Sequence, residues 1–271
     1  MLQIAIIFLS LFILEVLYFK VADYFNIIDK PSERGSSKFI TLRGGGIIFY
    51  IGALIWFIFY GREYWLFFIG LSMVSILSFV DDIHSLSARL RLPLQFIGML
   101  LLLSQLILGN NSIIDINSSG FFTIVLILVL GLVICTGAMN VFNFMDGING
   151  ITGGYSLIVL SAILFILDKE TLLGQSSEVE TIVSLLKIVL SAALVFCFFN
   201  FRSRAKCFAG DVGSVSIAFI ILFTLGFIVI NTGNLSWLSF LVVYGVDGCL
   251  TILHRIMLHE NISQPHRKHL F

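Results

Sequence analysis

Four carboxylates stand where apolar stretches of this chain end: the adjacent pair Asp81 and Asp82, then Asp146 and Asp211. An ionised carboxylate costs about 2.5–3.5 kcal/mol at the centre of a membrane helix and less near its ends, so four at such boundaries ask for a compensating charge. Two like charges as close as Asp81 and Asp82 either share a proton or face a cation. Magnesium takes one or two carboxylates together with phosphate oxygens and waters, so a sparse acidic set suits a metal held with a phosphate ligand.

Each acid has neighbours suited to the same chemistry. Arg89, Arg91 and Gln95 follow Asp81 and Asp82 at helical spacing and can bring guanidinium groups to an anion, although a solvated helix end would explain the acids alone. Asn140, Asn143 and Asp146 recur every three residues and share one helix face. The glycines from Gly147 to Gly154 let a backbone approach a ligand closely, or else pack helices together. Asp211 lies between Gly210 and Gly213, shortly after Phe208, whose ring can stack on a base; an N-cap aspartate is the competing explanation. Two basic tracts complete the inventory. Lys38 and Arg43 precede Gly44, Gly45 and Gly46, and the tail carries His266, Arg267, Lys268 and His269, a cluster suited to a pyrophosphate or to a solvated loop. Asp247 and Glu15 lie in or near apolar stretches. Pairing or snorkelling explains Glu15 as well as function does, and it is not placed at the site.

The elements that must position these groups are membrane helices. Hydrophobic residues make up 58% of the chain and charged residues 12%, and the apolar runs approach the roughly 20 residues that cross a bilayer. They predict nine spans, near 2–19, 45–60, 65–80, 92–109, 120–139, 148–167, 181–200, 213–231 and 235–253. The first run has no basic residue before it and no small-residue cleavage site after it, so it reads as a retained span. The fold class expected is an all-α polytopic bundle forming one integral-membrane domain over 1–271, with no soluble domain.

If the loops after spans one, three, five, seven and nine share a side, that side holds all 16 lysines and arginines except Arg62, Lys169 and Lys187. The positive-inside rule then places those loops in the cytoplasm and the N-terminus outside. All four acids fall on the cytoplasmic face, where the connections are richest in charge, glycine and amide. A net charge of zero gives no sign of a nucleic-acid partner. Cys135, Cys197, Cys207 and Cys249 lack metal-ligand spacing and are expected as free thiols.

Taken in order, Lys38 to Gly46, Asp81-Asp82 with Arg91 and Gln95, Asn140 to Gly150, Phe208 to Ser214, Asp247 to Arg255 and His266 to His269 resemble the polyprenyl-phosphate N-acetylhexosamine-1-phosphate transferases. This is the glycosyltransferase 4 family, related to phospho-N-acetylmuramoyl-pentapeptide transferase. The resemblance implies transfer of a sugar 1-phosphate from a uridine diphosphate sugar to a polyprenyl phosphate such as undecaprenyl phosphate. Uridine monophosphate is released and a cell-envelope glycan is begun, with magnesium, or alternatively manganese, as cofactor. It implies a bacterial-type inner membrane, with a homodimer left open.

Carried over by motif, Asp211 is the metal ligand, and Asp81 and Asp82 position or deprotonate the lipid phosphate. Asn143 and Asp146 line the nucleotide-sugar pocket, Phe208 stacks on uracil near Lys38, and His266, Arg267 and His269 hold the diphosphate. Asp81, Asp82, Asp146 and His266 are the catalytic candidates; Lys38, Arg43, Arg91, Gln95, Asn140, Asn143, Phe208, Arg267 and His269 are the substrate-binding ones. The tail sequence His-Arg-Lys-His places the chain with the N-acetylhexosamine branch. Leu42 stands where the family usually has proline, and Asn149 where aspartate is frequent. The chain stops where members usually continue through at least one more span, which leaves an inactive truncated member as an alternative. An ion-coupled transporter is the other alternative, although carriers gather ionisable residues near the midplane rather than at one face.

Overall fold

The computed structural model describes residues 2–29, 40–108, 121–168, 173–174 and 176–259. Among them run α1 (Leu2–Tyr24), α2 (Ile47–Phe59), α3 (Trp65–Ile83), α4 (Ala88–Leu108), α5 (Phe121–Met145), α6 (Ile151–Asp168), α7 (Ser177–Asn200), α8 (Gly210–Thr232) and α9 (Val242–Met257), with a 3-10 helix, Leu235–Leu241, leading into α9. Among the described residues eight spans are long and apolar enough to cross a membrane, the 3-10 helix and α9 counting as one. The protein is an all-α integral membrane protein.

The exception is α2. Its 13 residues rise about 20 Å, short of the ~30 Å hydrocarbon core. The stretch 45–60, expected as a full span, loses both ends to turns. Gly44 adopts φ +79°, a conformation that glycine takes without steric cost. At the other end Gly61 lies against the Trp56 ring, where any Cβ would overlap it.

Helix α8 is the hub. It packs on α2, α3, α4, α5 and α6, and 83% of its most apolar window is buried, against 17% for α1. A helix apolar all round is either a core helix or a lipid-facing one; α8 is the first kind and α1 the second. Leu2, Ile6, Leu9 and Ile13 on α1 are exposed, a surface that would aggregate in water but that lipid tails solvate. Because lipid is as apolar as leucine, helices join through close packing of small residues. Gly46 at the start of α2 crosses Gly213 in the first turn of α8 backbone to backbone, and Ser75 on α3 bonds Ser216 on α8 at 2.7 Å.

A feature that hydropathy could not reveal ties the loops together. Strands β1 (Ile28–Asp29) and β2 (Thr41–Leu42) pair antiparallel, and Leu42 bridges Cys207 in parallel. The Phe208 amide donates to the Leu42 carbonyl at 2.8 Å, the Gly45 amide to the Phe208 carbonyl at 2.9 Å and the Gly46 amide to the Ala209 carbonyl at 3.0 Å. The loop entering α2 is thereby zipped to the loop entering α8. On this face α3, α4, α5 and α8 also run past their apolar stretches, to Ile83, from Ala88, to Met145 and from Gly210. Asp81, Arg91, Asn140, Asn143 and Asp211 therefore sit on helices rather than in loops.

A Cβ on Gly213 would meet the Gly46 Cα at 2.6 Å, and backbone cannot swing aside as a side chain can. Gly213→Ala and Gly46→Ala should each destabilise the protein by roughly 1–3 kcal/mol. Gly137, with nothing within 4 Å of its Cβ position, should accept alanine without loss. Heating in detergent followed by size-exclusion chromatography reads all three.

Candidate active site

The end of α3 sends its two acids in different directions. Asp82 reaches α8: Oδ1 accepts from the Asp211 amide at 2.8 Å and Oδ2 from the Val212 amide at 3.0 Å. The first turn of a helix leaves its N–H groups without intrahelical partners, and Ala209 at the N-cap of α8 offers no side chain. Asp82 therefore caps α8 from another helix. Its Oδ1 also lies 2.7 Å from Arg43 Nε, with the Asp82 side chain 0% exposed. Asp81 turns towards α4, accepting from the Leu86 amide at 2.6 Å and from Arg91 Nη1 at 2.7 Å.

Asp211 is more loosely held. Arg43 Nη2 lies 3.3 Å from its Oδ1, Arg91 Nη1 3.8 Å from its Oδ2, and its side chain keeps 20% exposure. The cap at this helix start belongs to Asp82, so the N-cap explanation of Asp211 fails. Burial works against the charge of Arg43, but Asp82 and Asp211 outweigh it and raise its pKa further. Arg43 is thus a fixed cation between two acids that would otherwise repel.

On the far side of α8, Asn143 Oδ1 accepts from Ser214 Oγ at 2.9 Å. Asn140 Nδ2 donates to Gln95 Oε1 at 3.1 Å and to the Thr136 carbonyl at 2.8 Å. Gln95 Nε2 and Arg91 Nε, one helical turn apart, are buried donors without an acceptor among the described residues. Asp146, just beyond α5, is half-buried and, among the described residues, has no ion-pair partner. Burial pushes its carboxyl up to about 6, with Thr152 opposing, Asp211 adding and Arg43 opposing. Asn200 then joins two loops, accepting from the Gly150 amide at 2.7 Å and donating to the Cys207 carbonyl at 2.8 Å. Phe208, half-buried, lies on the strip beside Arg43.

Asp81, Asp82, Asp146, Asp211, Arg43, Arg91, Gln95, Asn140, Asn143 and Phe208 are thus gathered at one end of the bundle. Lys38, His266, Arg267 and His269 lie outside the described residues. Glu15, for which pairing was one of the expected explanations, is wholly buried, and its Oε1 accepts from Cys207 Sγ at 3.7 Å directly behind the Arg43 loop. Tyr18 and Asn200 were missed. A signal existed for the first, because Leu11, Glu15, Tyr18 and Ala22 form one buried stripe at helical spacing.

Membrane helices thus converge on an acid–guanidinium cluster beside two buried donors that have no acceptor among the described residues. The sequence profile of glycosyl transferase family 4 matches residues 64–242, and the chain belongs to that family. It is 25% identical over 270 residues to a probable undecaprenyl-phosphate N-acetylglucosaminyl 1-phosphate transferase of Bacillus subtilis (strain 168), covering 97% of this chain and 73% of the relative. The undecaprenyl-phosphate alpha-N-acetylglucosaminyl 1-phosphate transferase of Escherichia coli (strain K12) is 28% identical over 239 residues, 80% of this chain and 60% of the relative. The phospho-N-acetylmuramoyl-pentapeptide-transferase of Dictyoglomus thermophilum is 29% identical over 234 residues, 81% and 64%. The chain therefore spans less than two thirds of the length of the last two.

Asp146 yields a pH prediction. Its folded value of about 6 lies above the ordinary 3.8, so ionisation costs folding energy: the penalty is absent below the ordinary value, grows as pH rises and is complete above the folded one. With chelator present, Asp146→Asn should stabilise the protein at pH 8 by about 1–2 kcal/mol, after a discount for partial exposure, and leave it unchanged near pH 4. Thermal unfolding at the two pH values checks the sign.

Proposed function

We propose that this protein transfers a sugar 1-phosphate, of the N-acetylhexosamine type, from a uridine diphosphate sugar to a polyprenyl phosphate, releasing uridine monophosphate. One observation carries the reading: the Asp81–Arg91–Asp211–Arg43–Asp82 network lies beside two buried donors, Arg91 Nε and Gln95 Nε2, that lack an acceptor among the described residues. Donors without acceptors in an apolar setting call for an anion. The relatives' names point to its kind, a prenyl phosphate and an N-acetylglucosaminyl 1-phosphate group, and the uridine diphosphate sugar is the donor that the family resemblance implies.

Asp211 and Asp146 are the residues that would hold magnesium or manganese, since one is loosely paired and the other carries no ion pair among the described residues. Their fit to such an ion follows from hard-cation chemistry, which takes few carboxylates alongside phosphate oxygens. When bound, the cation neutralises charge on the diphosphate. The protein groups do the rest. Arg91 and Gln95 orient the lipid phosphate so that its oxygen attacks the sugar-bearing phosphorus directly, and the bond to the departing nucleotide phosphate breaks in line. Phosphoryl transfer asks mainly for alignment and charge stabilisation. Asp81, tied to Arg91, fixes the guanidinium that meets the lipid phosphate. Asn143 and Asp146 line the donor pocket, with Phe208 as the platform for uracil.

The charge asymmetry of the loops supports a cytoplasmic site in an inner membrane, where a lipid phosphate at the headgroup plane meets a soluble nucleotide sugar. Clustering at one end, away from the midplane, weighs against a carrier.

Purified protein with undecaprenyl phosphate, magnesium and a panel of uridine diphosphate sugars tests the reaction. Asp211→Asn should abolish isotope exchange between uridine monophosphate and the nucleotide sugar; exchange at parental rate would exclude Asp211 as the metal ligand. Gln95→Leu should lower kcat/KM for the lipid phosphate by about 10–100-fold.

A further inference from the structure

Helix α1 has little to bury, yet its single buried stripe carries two polar side chains, Glu15 and Tyr18. Polar residues kept at a helix–helix seam inside a membrane more often serve a site than fill a core. Both reach the back of the loop that carries Arg43. The Tyr18 hydroxyl donates to the Arg43 carbonyl at 2.6 Å, while its ring meets Phe79 edge-on at 6.4 Å. Glu15 Oε1 accepts from Cys207 Sγ and would lie 3.1 Å from a Cβ on Gly45. Burial first, and Glu15 second, hold the Cys207 thiol well above its ordinary range, so it keeps the proton that makes this bond. On its other side the Arg43 amide donates to the Ile27 carbonyl at 3.0 Å. The Arg43 backbone is clamped from both directions, and Tyr18 supplies the side-chain half of the clamp.

The clamp matters because of where the Arg43 side chain ends. Its guanidinium lies 2.7 Å from Asp82 but 3.3 Å from Asp211. That slack keeps Asp211 from being consumed in a tight ion pair. If the loop could shift, the guanidinium would close on Asp211 and compete with any cation for the same oxygen.

We propose that Tyr18 is a positioning residue for the metal site: by holding the Arg43 carbonyl, it keeps the guanidinium from closing on Asp211 and leaves that carboxylate open to a divalent cation. The inference rests on the assignment of Asp211 as metal ligand.

Binding of Mn2+ to the purified 271-residue chain in detergent, without substrate, is measured from the electron paramagnetic resonance signal of free Mn2+. Tyr18→Phe keeps the ring against Phe79 and removes only the hydroxyl. It should weaken Mn2+ binding roughly 3–10-fold, the scale of one hydrogen bond, with an unfolding midpoint within about 2 °C of the parent. In an Arg43→Gln background, which has no guanidinium to close on Asp211, Tyr18→Phe should have no further effect. Equal affinity in parent and Tyr18→Phe overturns the proposal, and so does an equal loss in the Arg43→Gln background, because Tyr18 would then act through the fold. Should Tyr18→Phe fail to fold, Arg43→Gln alone decides, since it should bind Mn2+ more tightly than the parent and no gain overturns the proposal. A parent that binds no Mn2+, or an Asp211→Asn variant that binds it equally, removes the metal assignment itself and is distinguishable from all of these.

Discussion

The capping of α8 by Asp82 is the interaction on which the rest of the site depends. One buried carboxylate accepts from two amides of another helix and from Arg43, bonds that are stronger for being charge-assisted. It fixes the end of α3 against the start of α8 and at the same time pins the loop before α2. Asp211, in that first turn of α8, is thereby aimed. A helix N-terminus favours negative charge, so the two acids can stand close with Arg43 between them. Had Asp211 capped its own helix, its oxygens would have been spent on backbone amides.

This arrangement is possible because the backbones come very near. Gly46 and Gly213 remove the side chains that would keep α2 from α8, and Gly210, at φ +71°, places Asp82 Oδ2 where a Cβ would be only 2.6 Å away. Only glycine adopts that left-handed conformation without cost. In a membrane, where burial of apolar surface gives little drive to helix association, such contacts and interhelical hydrogen bonds carry the specificity of packing. The two-residue strands and the strip from Leu42 to Ala209 then satisfy loop amides that the packing would otherwise leave unpaired.

Much of this was legible before any coordinates. Apolar runs marked nine helices, because crossing a bilayer demands length and hydropathy that stand out from any background. The runs misjudged α2, whose glycines turn the chain early, and they stopped short on α3, α4, α5 and α8. Hydropathy ends at the first polar residues, whereas the helix continues as long as those residues find partners: Asp81 with Arg91, Asn140 with Gln95, Asn143 with Ser214. Glu15 shows the converse limit. An acid inside an apolar run has several explanations, and its burial against Cys207, 192 positions away, cannot be read from either neighbourhood.

By itself, the sequence determined that this chain is a bundle of membrane helices with acids, amides and guanidinium groups at the helix ends, since those properties are local in composition and spacing. Tertiary structure decided which acid is a cap and which is only loosely paired, which donors have no acceptor among the described residues, and that a tyrosine of α1 touches Arg43. These are matters of distance between residues far apart in the chain. No local pattern encodes them, because the same carboxylate can cap, pair or bind according to what the packing brings within about 3 Å of it.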